Sequence, residues 1–157
     1  MAVKPVPDGY HALTPYLILT GAARAIEFYK QVFGATETAR FDDPSGRIGH
    51  AELRIGDSVL MLADEVPEMG FKSPQTLGGT PVLTMIYLPD VDACFARALG
   101  AGAQEIKPLR DEFYGDRTGT FVDPFGHLWT VATHVEDVTR EEMQRRMEKL
   151  MSKPASA

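Results

Sequence analysis

Apolar and β-prone residues run through positions 12–19 (ALTPYLIL) and stop at Gly21, a pattern that predicts a strand. The period then changes. In AARAIEFYKQVFG, Ala22, Ile26, Tyr29 and Phe33 recur at helical spacing, with Phe28 beside them and Gly34 as a stop. Residues 36–41 alternate weakly, and Asp42-Asp43-Pro44-Ser45-Gly46 is a turn. Residues 48–55 and 58–63 read as two strands joined at Gly56-Asp57, a dipeptide that suits a tight hairpin. The predicted order is β-α-β-β-β.

A polar connection over 64–80 follows, with two prolines and three glycines, and then the order repeats. Residues 81–88 are β-prone, 90–99 (DVDACFARAL) predict a short helix ended by GAGA, and 104–109 predict a further strand. Residues 116–122 and 127–134 predict two more, joined by Asp123-Pro124-Phe125-Gly126. Thr14 matches Leu83, and Met61 matches Thr130, both at a spacing of 69. A period this long exceeds that of solenoid repeats and indicates a duplicated half-domain.

The expected fold class is α+β. Paired βαβββ modules span about 12–63 and 81–135, within one domain over 1–138. Residues 139–157 form a helix and tail. Thr139 followed by Glu142 is a capping-box signature, and Met143, Met147, Leu150 and Met151 form an apolar stripe. We expect that stripe to pack on its own domain; docking to a partner is the alternative. The first ten residues, with two prolines, an Asp and a Gly, predict a surface arm.

Composition narrows the function classes. A length of 157 residues suits one domain that needs no disulfide or metal staple. Lys and Arg number 16 against 22 Asp and Glu, a net charge of −6, which argues against nucleic acid as a partner. No apolar stretch approaches the roughly 20 residues of a membrane span. The single cysteine, Cys94, allows no intramolecular disulfide. The N-terminus lacks a signal-peptide pattern, so a cytoplasmic location is expected.

Three segments carry a resemblance: AARAIEFYKQVFGA, GHAELRIGDSVLMLAD and YGDRTGTFVDPFGHLWTVATHVEDV. Together they resemble the vicinal oxygen chelate superfamily of glyoxalases, bleomycin-resistance proteins and extradiol dioxygenases. The last two segments are similar to its PhnB-like subgroup. The resemblance implies curved sheets that form a ligand cup, often a divalent metal, and a homodimer. It places the customary metal ligands at Thr14, Met61, Leu83 and Thr130, none of them His, Glu, Asp or Cys. Borderline divalent metals need imidazole, carboxylate or thiolate donors, so a cup with no metal cofactor is expected.

Strand alternation assigns the cup lining. Thr14, Tyr16 and Ile18 share one parity, as do Val59, Met61 and Ala63; Leu83, Met85 and Tyr87; and Thr130, Ala132 and His134. Phe121 suits the helix side, which puts Thr118 and Thr120 in the cup with His50, Glu52 and Arg54. The candidate ligand-binding residues are Tyr16, His50, Glu52, Met61, Met85, Tyr87, Tyr114, Asp116, Thr130 and His134. His50 and Glu52 read either as a base with its neighbour or as a hydrogen-bonded sheet pair. His134 with His50 and Glu52 would make a displaced metal set. Arg117 points away from Thr118 and reads as structural, as does the Asp123 turn.

The leading expectation is a metal-free protein that binds a small, partly hydrophobic or aromatic ligand, by sequestration or metal-free conversion. A metal-dependent lyase, isomerase or dioxygenase, and an interaction module built on the tail helix, are the alternatives. No catalytic residue is assigned.

Overall fold

The computed structural model describes residues 3–152. Two four-stranded mixed sheets carry the fold. The first has strands β1 (Tyr16–Leu19), β2 (Thr36–Asp42), β3 (Ile48–Ile55) and β4 (Ser58–Asp64) in the order β1-β4-β3-β2. The second has β5 (Leu83–Tyr87), β6 (Gln104–Asp111), β7 (Asp116–Val122) and β8 (Leu128–His134) in the matching order β5-β8-β7-β6. In each sheet the first and last strands pair parallel and the others antiparallel. This is the expected duplicated βαβββ order.

Helices α1 (Ala22–Phe33) and α3 (Val91–Gly100) lie between the two sheets. α1 buries residues on more than one side: Ile26, Phe28, Tyr29, Val32 and Phe33 are all core. Its Phe33 ring lies 4.8 Å from Trp129 of β8, and Tyr29 lies 5.4 Å from the same indole. Burying each such side chain contributes roughly 1.5–3 kcal/mol. α1 thus packs on both modules and joins them. Gly119 in β7 allows a close approach on this side, since an added Cβ would lie 2.7 Å from the Phe95 ring of α3.

The two helices start differently. Gly21 ahead of α1 has φ +83° and offers no side-chain cap. Instead Asp64, at the end of β4, accepts from the Gly21 and Ala22 amides at 3.0 and 2.8 Å, and from the Ile48 amide at 2.8 Å. A carboxylate at a helix N-terminus satisfies orphan donors and complements the dipole. α3 is capped locally by Asp90, which accepts from the Ala93 amide at 3.0 Å. Thr133, 69 positions beyond Asp64, accepts from the Val91 amide at 3.0 Å.

Several boundaries differ from expectation. β1 begins at Tyr16 rather than 12, after Pro15, which has no amide for a ladder. The connection over 64–80 contains a 3-10 turn (Pro67–Met69) and a short helix, α2 (Pro74–Leu77). Ser73 caps α2, accepting from the Thr76 amide.

The tail helix α4 (Arg140–Met151) forms, and Thr139 accepts from the Glu142 amide as its cap. Its apolar stripe does not pack as expected. No residue of α4 is buried, and Leu150 and Met151 are exposed. Arg146 ties the helix to Glu136, at 2.7 and 2.8 Å, and the half-buried side of the helix is Glu142, Met143 and Arg146, so that of the stripe only Met143 is partly covered. Among the described residues, no helix is long and apolar enough to cross a membrane.

Candidate functional site

Each sheet turns one face to the helices and the other outward. On the first sheet Leu17, Leu19, Leu53 and Leu62 are buried against the helices, whereas Tyr16, Ile18, His50, Glu52 and Met61 lie on the outer face. Register brings the latter together: Tyr16 is opposite Met61, and Met61 is opposite Glu52.

Four side chains there form a hydrogen-bonded chain. The Tyr10 hydroxyl donates to Glu52 Oε2 at 2.5 Å. His50 Nε2 lies 3.1 Å from Glu52 Oε1, and the Tyr16 hydroxyl lies 2.8 Å from His50 Nδ1. An ionised carboxylate only accepts, so the His50 Nε2–H donates to Glu52, which leaves Nδ1 facing the Tyr16 hydroxyl. The bonds from Tyr10 and then His50 hold the Glu52 carboxyl below its ordinary value. The Tyr10 phenol is correspondingly pushed up by its bond to Glu52, and Tyr16 by burial and then by the Glu52 charge.

Tyr16 also borders a half-open apolar cavity of about 480 Å³, lined by Ile18, Ala63, Val66, Met69 and Phe71. The loop after β4 supplies its outer wall, with a bridge between Val66 and Phe71 holding that loop shut. An apolar hollow with a few convergent polar groups is the usual form of a small-molecule site.

The second sheet carries a separate chain. The Tyr87 hydroxyl donates to Asp116 Oδ2 at 2.7 Å, and His134 Nδ1 lies 2.7 Å from Asp116 Oδ1. His134 Nε2 lies 3.0 Å from Asp137 Oδ1. Both ring nitrogens face groups that only accept, so this arrangement suits the doubly protonated imidazolium. The bond to Asp116, then that to Asp137, raises the His134 pKa. Thr130 shares a hydroxyl bond of 2.8 Å with Thr120. Tyr114 is half-buried against Phe113, and burial raises its phenol. Leu83, Met85 and Tyr87 are exposed along β5.

The candidate residues therefore divide into two clusters on two sheets. Tyr16, His50, Glu52 and Met61 meet on the first; Met85, Tyr87, Asp116, Thr130 and His134 lie on the second, with Tyr114 just ahead of β7. The displaced metal set is not assembled, because His134 is held by Asp116 and Asp137 on the second sheet, away from His50 and Glu52. The customary metal positions do not fit an ion either. Thr14 donates its hydroxyl to the His11 carbonyl, Thr130 is paired with Thr120, Met61 offers a thioether and Leu83 hydrocarbon. Among the described residues, no group of three or more His, Cys, Asp or Glu is placed to hold a metal.

Arg117 pairs with Asp92 at 2.8 Å and with Asp111 at 3.1 Å, a structural role. Two contributions escape the strand pattern. Tyr10 comes from the arm, and Val66, Met69 and Phe71 come from a connection that reads as polar. The signal for the latter is bulky apolar residues within a stretch of turn formers.

A family model described as Glyoxalase/Bleomycin resistance protein/Dioxygenase superfamily matches residues 11–131. The chain belongs to this superfamily. One relative of the chain is an uncharacterised protein of Mycobacterium bovis. It is 47% identical over 150 residues, covering 94% of this chain and 96% of the relative. PA1353 from Pseudomonas aeruginosa has a similar solved structure, with TM-score 0.66 and 26% identity, covering 79% of this chain and 98% of that one. TioX from Micromonospora sp. ML1 is also similar, with TM-score 0.61 and 28% identity, covering 80% and 99%. The two solved structures share the fold; the two clusters above are read from this chain's own residues.

Proposed function

We propose that this superfamily member binds a small, partly hydrophobic or aromatic ligand on the outer face of its first sheet, without a bound metal. The observation that carries the reading is the cavity of about 480 Å³ beside the Tyr16 hydroxyl. Its lining supplies hydrocarbon and the Phe71 ring, and Tyr16, bonded to His50, supplies a second ring and a polar anchor at its edge. The donors at the customary metal positions support the metal-free part. The finer likeness to the PhnB-like pattern is part of this reading, as is a cytoplasmic location.

N-phenyl-1-naphthylamine, an uncharged fluorescent aromatic, tests it directly. Fluorescence titration should show saturable binding that persists after dialysis against a chelator. Phe71→Ala, with Ile18→Ala as a second variant, should weaken it by about tenfold, one lost aromatic contact being worth about 1.4 kcal/mol. Absence of saturable binding, or binding that requires a stoichiometric metal, would sink the reading.

We propose further that two copies associate. Exposure of Tyr16, Leu83, Met85 and Tyr87 on the outer faces supports this. Sedimentation of Tyr87→Lys should then give a lower mass than the native chain; a native chain that sediments as a monomer removes the idea.

A further inference from the structure

The N-terminal arm lies beside the first sheet and forms with it a second, open hollow of about 460 Å³. Glu52 and Met61 line it from the sheet, and Pro5, Pro7, Tyr10 and Thr14 from the arm and the approach to β1. This cavity adjoins the apolar one, because Met61 lines the second, its register partner Tyr16 lines the first, and the two stand side by side on neighbouring strands. The two hollows thus lie on either side of the Tyr16–Met61 pair, on the outer face of β1 and β4.

Their chemistry differs. The lining of the arm compartment carries one carboxylate, Glu52, with His11 as the other ionisable group besides Tyr10. The Glu52 side chain is 14% exposed. Each of its oxygens accepts one side-chain bond, from Tyr10 and from His50, and each has room for a second. Bonds from Tyr10 and His50 already favour the Glu52 anion, and its remaining acceptor positions suit a charge-assisted bond from a cation in the hollow. Tyr10, whose hydroxyl bonds Glu52, also lines the hollow. Arg54, on the same strand, is directed to the Gly9 carbonyl and does not line the compartment, though its charge also favours the Glu52 anion. The apolar compartment also has a carboxylate, Asp64, but its oxygens are taken by the Gly21, Ala22 and Ile48 amides.

We infer that the two neighbouring hollows together take an amphipathic amine, its flat apolar body beside Phe71 and its ammonium group beside the arm against Glu52. This rests on the apolar cavity being a ligand site and adds the chemical class of the ligand. Tyr10, on the arm, becomes a ligand-contacting residue.

Two fluorescent probes separate the two claims: dansylcadaverine, which ends in a primary amine, and N-pentyl dansylamide, which lacks it. The native chain should bind the amine-bearing probe about tenfold more tightly, equivalent to about 1.4 kcal/mol. Glu52→Gln should bring the ratio to about one. Met61→Lys, which sets an ammonium of the protein's own beside Glu52, should do the same and provides a second variant should the first fail to fold. Equal affinities in the native chain, or a ratio that survives both substitutions, overturn the amine class while leaving the apolar site intact. Failure of both probes to bind overturns the site and the amine class together.

Discussion

Tyr29 of the first module donates its hydroxyl to Asp123 of the second at 2.6 Å, inside the core. The same carboxylate oxygen accepts from Trp129 Nε1 at 2.9 Å, and the other oxygen accepts the Phe125 and His127 amides at 2.9 and 3.0 Å. Burial, then the Asp123 charge, raises the Tyr29 phenol well above its ordinary value. Tyr29→Phe should cost about 2 kcal/mol, the range for a hydrogen bond to a charged group. Asp123→Ala should cost more, about 4 kcal/mol, because two ring donors and two amides lose their acceptor together. Urea denaturation checks the order; a Tyr29→Phe loss equal to or above that of Asp123→Ala contradicts it.

Gly119→Ala should destabilise the fold by about 1–3 kcal/mol. Its Cβ would sit 2.7 Å from the Phe95 ring and 3.1 Å from Leu109, so α3 must shift off the second sheet. Thermal unfolding measures it, and an unchanged midpoint would show that α3 yields freely.

His134 makes stability depend on pH. Its folded pKa is raised by Asp116 and then Asp137. The group therefore contributes stability that is fully present below the ordinary histidine value of about 6.5 and is lost as pH rises through the folded value. The imidazole titration followed by NMR should fall back toward the ordinary value in Asp116→Asn. An unmoved midpoint would mean that Asp116 does not hold the charged ring.

Cys94 should be inert. It is fully buried on α3, and burial pushes its thiol up to about 11. Reaction with a disulfide reagent at neutral pH should be slow in the folded chain and fast in urea. Rapid native labelling would mean that α3 opens readily.

Much of this architecture is legible in the sequence because alternation and helical period are local signals. Leu17, Leu53, Phe121 and Trp129 fall on the helix side as their parity demands, and Tyr16, Glu52 and His134 on the other. Parity assigns a residue to a face, however, not to a sheet. Tyr16 and Tyr87 thus look alike as cup residues, yet they bond to different clusters, Tyr16 to His50 and Tyr87 to Asp116. Tyr10 is invisible for another reason: its partner is 42 residues away, and an arm with two prolines has no period to read. The tail shows the opposite limit, since a regular stripe at Met143 and Met147 predicts a helix but not what covers it.

The borrowed cap of α1 orders events in time. α3 has a local cap as well as a distant one: Asp90 accepts from the Ala93 amide, while Thr133, 42 residues beyond Val91, accepts from the Val91 amide. α1 has its start defined by Asp64, 42 residues beyond Ala22, and closing a long loop comes before that contact can form. During refolding the Ala93 amide should therefore gain protection in pulse-labelled hydrogen exchange before the Ala22 amide. Protection in the reverse order would place the first module's hairpin ahead of α3. The first helix of the chain is thus completed late, when β4 arrives to hold it.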